Sequence, residues 1–95
     1  MIKINIKKDE IIIKGHSGYS EYGSDIVCAS VSSISITTVN ALLSIDEDCI
    51  DYEEKDGYLN IKIKKHNEVI DKLINNMINL LKELQNQYKK YIEIR

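Results

Sequence analysis

A chain of 95 residues has room for one hydrophobic core, so it reads as a single domain spanning 1–95. Its 43% hydrophobic and 29% charged residues exclude a disordered chain, and a net charge of −2 argues against direct nucleic-acid binding through phosphate neutralisation. No apolar run is expected to reach the roughly 18 residues of a membrane span, so no membrane partner is expected either.

The chain starts on Met1-Ile2-Lys3-Ile4, where Ile2, Ile4 and Ile6 alternate with polar residues and mark a half-buried strand. Because that strand begins at once, no signal peptide is expected and the protein reads as cytoplasmic, with Cys28 and Cys49 kept as free thiols. Lys8-Asp9-Glu10 is the turn, and Ile11–Lys14 is the hairpin partner, ending at Gly15-His16. Residues 17–24 hold Gly18, Gly23 and three serines and read as a mobile loop.

Ser24 or Asp25 offers an N-cap oxygen to a first helix. Val27, Val31, Ile34, Thr38, Ala41 and Ile45 recur at steps of four and three, and Ile36, Val39 and Leu43 add a second stripe. Serines and β-branched residues give this segment poor intrinsic propensity, so tertiary packing must hold it against the sheet. Ile50 and Tyr52 share a face of a third strand, Asp56-Gly57 is a two-residue hairpin signal, and Leu59, Ile61 and Ile63 alternate in a fourth. Cys49 reads as a packing residue. Asn67 is the expected N-cap of a second helix, with Glu68 and Asp71 in its first turn and a wide stripe from Val69/Ile70 to Leu84. His66 reads as a helix-entry residue. Tyr91–Ile94 alternates again as a short fifth strand. The order is β-β-α-β-β-α-β: an α+β two-layer sandwich, with both helices on one mostly antiparallel sheet.

The chemistry concentrates between residues 15 and 33. A strand ends in an imidazole, His16, and a helix opens on a thiol, Cys28, so the two groups can meet as a nucleophile and its base. A helix start favours the thiolate through the macrodipole and unpaired amides, and the Cys28 backbone N–H is a candidate oxyanion donor. Asp25 either orients His16 as a third member or caps the helix; its place three residues before Cys28 suits the cap. Gly18 and Gly23 would let the loop open for a substrate, with Tyr19, Tyr22 and Ser24 beside it, and Tyr19 and Tyr22 could pack on an apolar substrate residue. The cysteines lack the spacing of a zinc site, and no metal or cofactor is expected.

The string Gly15-His16, a glycine-containing loop, then Gly23-x-Asp25-x-Val27-Cys28-Ala29-x-Val31-Ser32 resembles the signature of the bacterial ribosomal-processing cysteine protease (Prp) family. Chain length and element order are similar throughout, and Ser17, where alanine is common in that family, is read as a minor departure. The resemblance implies a Cys28–His16 dyad and a homodimer, for which the second stripe of the first helix, Ile36, Val39 and Leu43, is the expected shared surface. It also implies a peptide substrate, the N-terminal extension of a large-subunit ribosomal protein (L-twenty-seven), removed during ribosome assembly. Two rival readings stay open: a non-catalytic module docking on ribosomal protein or RNA, and a cysteine hydrolase of small amides.

Overall fold

The computed structural model describes residues 1–21 and 25–95. Its elements are β1 (Ile2–Ile6), β2 (Glu10–Lys14), α1 (Ile26–Ile45), β3 (Ile50–Lys55), β4 (Tyr58–Ile63), α2 (Glu68–Gln87) and β5 (Ile92–Ile94). The expected α+β order holds. The strands form one sheet in the order β3-β4-β2-β1-β5. Every pairing is antiparallel except β1 with β5, which is parallel.

Period-two alternation fixes which face is covered. Ile2 and Ile4, Ile11 and Ile13, and Leu59, Ile61 and Ile63 are all buried, while Lys3, Lys14 and Lys62 point to the other, solvated face. Both helices lie on the apolar face. From α1 come Val27, Val31, Val39 and Leu42, and from α2 come Ile70, Ile74, Met77 and Leu81, all joining one core. Burying each such side chain stabilises the fold by about 1.5–3 kcal/mol.

Two expectations about α1 change. Its inward face is Val27, Val31, Ser35, Thr38, Val39 and Leu42, whereas Ile34 and Ala41 are half-buried and Ile45 is exposed. The helix is apolar around much of its circumference, so periodicity alone does not choose among its stripes. It is also, at 20 residues with mean hydropathy 1.8, long and apolar enough by length and composition to cross a membrane. Interspersed serines and threonines hide that in the sequence. Its buried face lies in the domain core, which a central helix also requires.

β3 is an edge strand buried only at Ile50; Tyr52, although on the same face, is 48% exposed. The helices do not cover the far end of the β3–β4 hairpin, and a cavity opens there.

Candidate active site

Between the first half of α1 and the tip of the β3–β4 hairpin lies a cavity of about 590 Å³. Val31, Ser35 and Leu59 contribute to its wall, and His16, Asp25, Cys28, Asp56 and Gly57 bring chemistry to it. Two chain features deliver His16 and Cys28 to this one space. The first is Gly15 at the end of β2. Its φ is +97°, and a Cβ there would fall 2.6 Å from the Met1 carbonyl oxygen, so only glycine lets the chain turn at this point. The Gly15 N–H then donates to the Gly57 carbonyl at 2.8 Å, setting His16 beside the hairpin tip. The second is the start of α1, where Cys28 sits in the first turn.

Asp25 caps that helix. Its Oδ1 accepts from the N–H groups of Val27 (3.0 Å) and Cys28 (2.9 Å), and its Oδ2 accepts from the Ser17 hydroxyl. Both carboxylate oxygens are therefore engaged in the cap and on Ser17. Desolvation pushes this carboxyl up, but the Ser17 hydroxyl, the Cys28 amide and thiol and the Val27 amide outweigh it and bring its pKa to about 2. The Cys28 N–H, expected as an oxyanion donor, is committed to Asp25 here. A different amide reaches the sulfur: Ser17 N–H donates to Cys28 Sγ at 3.2 Å.

Ser17 is the residue that sequence reasoning passes over. It is 4% exposed, and its hydroxyl donates to Asp25 while accepting from the Tyr19 N–H at 3.0 Å. One small side chain thus ties the loop to the helix cap, while its own amide meets the thiol. The only cue in the sequence is the departure from alanine.

His16 lies half-exposed at the mouth, with Nε2 3.8 Å from Asp56 Oδ2. Gly18 and Ser20 also line the cavity. Tyr19 does not. Its ring packs edge-on against Tyr88 and Tyr91, with centroids 5.7 and 5.2 Å away, and so ties the loop to the α2–β5 connection while staying partly exposed. Tyr22, Gly23 and Ser24 lie outside the described residues.

Away from the cavity, Cys49 is fully buried, its thiol donating to the Leu42 carbonyl at 3.5 Å, and desolvation together with Asp46 raises its pKa. His66 stands at the entry to α2 as expected, with Nδ1 and Nε2 each 2.7 Å from a carboxylate oxygen of Asp71 and Asp9. Among the described residues no group of three or more His, Cys, Asp or Glu side chains is placed to hold a metal ion.

Comparison with known proteins bears on this arrangement. The family model described as cysteine protease Prp matches residues 1–93. The ribosomal processing cysteine protease Prp of Staphylococcus aureus is 28% identical over 91 residues, covering 93% of this chain and 86% of that protein. The protein of the same name from Bacillus subtilis is 28% identical over 87 residues, covering 84% and 78%. The crystal structure of the essential ribosomal processing protease Prp from S. aureus, in complex with a covalently linked product peptide, matches with a TM-score of 0.88. Its identity is 25%, over 99% of this chain and 95% of that one. A match that runs through both the Gly-His turn and the capped cysteine helix, over nearly the whole length, makes this chain a member of the cysteine protease Prp family.

Proposed function

We propose that this protein is an endopeptidase in which Cys28 is the nucleophile and His16 its acid–base partner. Its substrate is the N-terminal extension of a large-subunit ribosomal protein (L-twenty-seven). The observation that carries the reading is the Cys28 sulfur in the first turn of α1, meeting the amide of the residue after His16, on the wall of the cavity that His16 also lines. Family membership favours catalysis over a docking module. The names of the relatives, and the product peptide held by the S. aureus enzyme, favour a ribosomal-protein peptide over a small amide.

In the proposed reaction the Cys28 thiol gives its proton to His16, and the sulfur attacks the scissile carbonyl carbon. Ser17 N–H, already directed at the sulfur, helps to hold the thiolate before attack. The negative charge moves to the carbonyl oxygen, where a nearby backbone amide receives it; the Cys28 N–H takes that role only if Asp25 shares it. When the tetrahedral species collapses, the C–N electron pair leaves with the amine, which takes the proton from His16. A thioester remains. His16 then takes a proton from water, the hydroxide displaces the sulfur, and the proton returns to Cys28.

The test is incubation with a synthetic peptide spanning the N-terminal extension of the organism's own ribosomal protein, read by intact mass. Cys28→Ala and Cys28→Ser should abolish cleavage, whereas Cys49→Ala, although it opens a small void in the core, should cleave when assayed well below its Tm. Iodoacetamide near neutral pH should label the accessible Cys28 far faster than Cys49. Comparable cleavage by Cys28→Ala would overturn the proposal.

A further inference from the structure

We infer that Asp56 is a positioning residue for His16, holding the imidazole on a seat made by Gly57; this rests on the acid–base role proposed for His16. The β3–β4 turn is usually just a way to reverse the chain, but here it is the surface on which His16 lies. Register explains why. Lys14 at the end of β2 pairs with Tyr58 at the start of β4, so the residues just beyond Lys14 fall beside Asp56 and Gly57. The His16 backbone is fixed at this point. Gly15 N–H donates to the Gly57 carbonyl, and the Met1 ammonium donates to the His16 carbonyl at 2.7 Å.

The ring itself rests on the turn. A Cβ at Gly57 would lie 2.7 Å from His16 Nε2 and 3.3 Å from Cδ2 and Cε1, so any side chain there would displace the imidazole. Gly57 also has φ +66°, which independently favours glycine. The same position thus meets a folding need and a functional one. Beside it, Asp56 Oδ2 stands 3.8 Å from Nε2, beyond a hydrogen bond but within ion-pair range. Contacts of this kind are commonly long before substrate closes the site.

The charged groups lining the cavity are Asp25, Glu54, Lys55 and Asp56. Asp25 has both oxygens engaged on the helix start and Ser17, and Lys55 Nζ lies 3.7 Å from Glu53. Among the described residues, Asp56 is the carboxylate within ion-pair range of the ring. A carboxylate at Nε2 favours the neutral tautomer with its proton on that nitrogen, and so assigns Nδ1 to the thiol. In each turnover Nδ1 takes the Cys28 proton and passes it to the leaving amine, while the Nε2 proton stays toward Asp56 throughout. The role assigned to Asp56 runs through His16, the ring it stands beside.

Asp56→Asn tests this cleanly, because its side chain is 75% exposed and Asn-Gly is as good a turn pair as Asp-Gly. With the same ribosomal-protein peptide, kcat should fall about threefold at low ionic strength with KM unchanged, the size of effect an exposed pair can have. The loss should fade as salt is raised, and Asp56→Glu should recover most of it. Nitrogen-15 NMR of the neutral rings, with His66 as internal reference, should show His16 losing its preference for Nε2–H in Asp56→Asn. Unchanged kcat and an unchanged tautomer, beside an inactive His16→Ala, would overturn the inference and leave the dyad standing. Full activity in His16→Ala would instead overturn the dyad. A lowered Tm with an unchanged tautomer would make Asp56 a turn residue only, which also overturns the inference.

Discussion

Ser17 carries more of the site than its size suggests. Its hydroxyl is the strongest of the groups that hold the Asp25 carboxylate below its ordinary 3.8, against desolvation that pushes the other way. A carboxylate depressed in the folded state stabilises the fold above its unfolded pKa, and that contribution is lost as pH falls through the folded value. Ser17→Ala is therefore expected to cost about 1 kcal/mol at pH 7, the scale of a partly solvated hydrogen bond to a charged group. The cost should shrink between pH 4 and about 2, where the unaltered protein loses the same contribution. Urea unfolding of both proteins at pH 7 and at pH 3 checks this; an equal difference at both would rule out the linkage. His16, Cys28 and the Asp25 cap are legible in the sequence because each follows from a local rule: a glycine turn, a helix start, a side-chain oxygen three residues before an amide. Ser17 and the Asp56–Gly57 seat are not, since the one depends on a loop folding back and the other on β2 pairing with β4 some forty residues later.

At the level of elements, the strand alternation and both helix caps survive from sequence to structure, but the connections between elements do not announce themselves. His66 shows this. It is readable as the entry to α2, yet it also bridges the β1–β2 turn and the first turn of α2 through Asp9 and Asp71. The hydrogen bond to Asp71, then that to Asp9, raises its pKa above 6.5. A histidine raised in the folded state stabilises the fold fully below its unfolded pKa, and the contribution fades as pH rises through the folded value. His66→Gln should therefore lower the Tm more at pH 6 than at pH 9. Thermal unfolding at the two values decides it, and an equal loss at both would mean the bridge works without its charge. The loop at 17–21 is a second case. Its composition reads as mobile, whereas Ser17 and the Tyr19–Tyr88–Tyr91 cluster tie its first half to two other elements. Any opening for substrate has to begin beyond these anchors or break them.

For the molecule as a whole, the open question is what α1 does with the side it does not bury. The helix carries no charged residue from Ile26 to Ile45, although only six of its positions face the core. Sequence reasoning assigns Ile36, Val39 and Leu43 to a self-association surface. Val39 belongs instead to the protein's own core at 1% exposure, while Ile36 and Leu43 are half-buried. What remains outward includes a face of uncharged residues, Ala29, Ser33, Thr37, Asn40 and Ser44, all of them exposed. Uncharged residues let two backbones approach without desolvating ions, and the exposed Ile26 and Ile45 at the two ends of the helix add apolar surface that a domain of this size gains from covering. The protein is therefore expected to sediment at twice the chain mass at tens of micromolar. Thr37→Glu provides the contrast. It is exposed in the single chain and should leave the Tm of the folded protomer nearly unchanged, but two copies across a symmetric contact would bring carboxylates together without partners. Its sedimentation should shift to the monomer mass, most strongly at low salt, where like charges repel over the longest range. A monomer in both proteins would remove the dimer while leaving the cavity and its chemistry untouched.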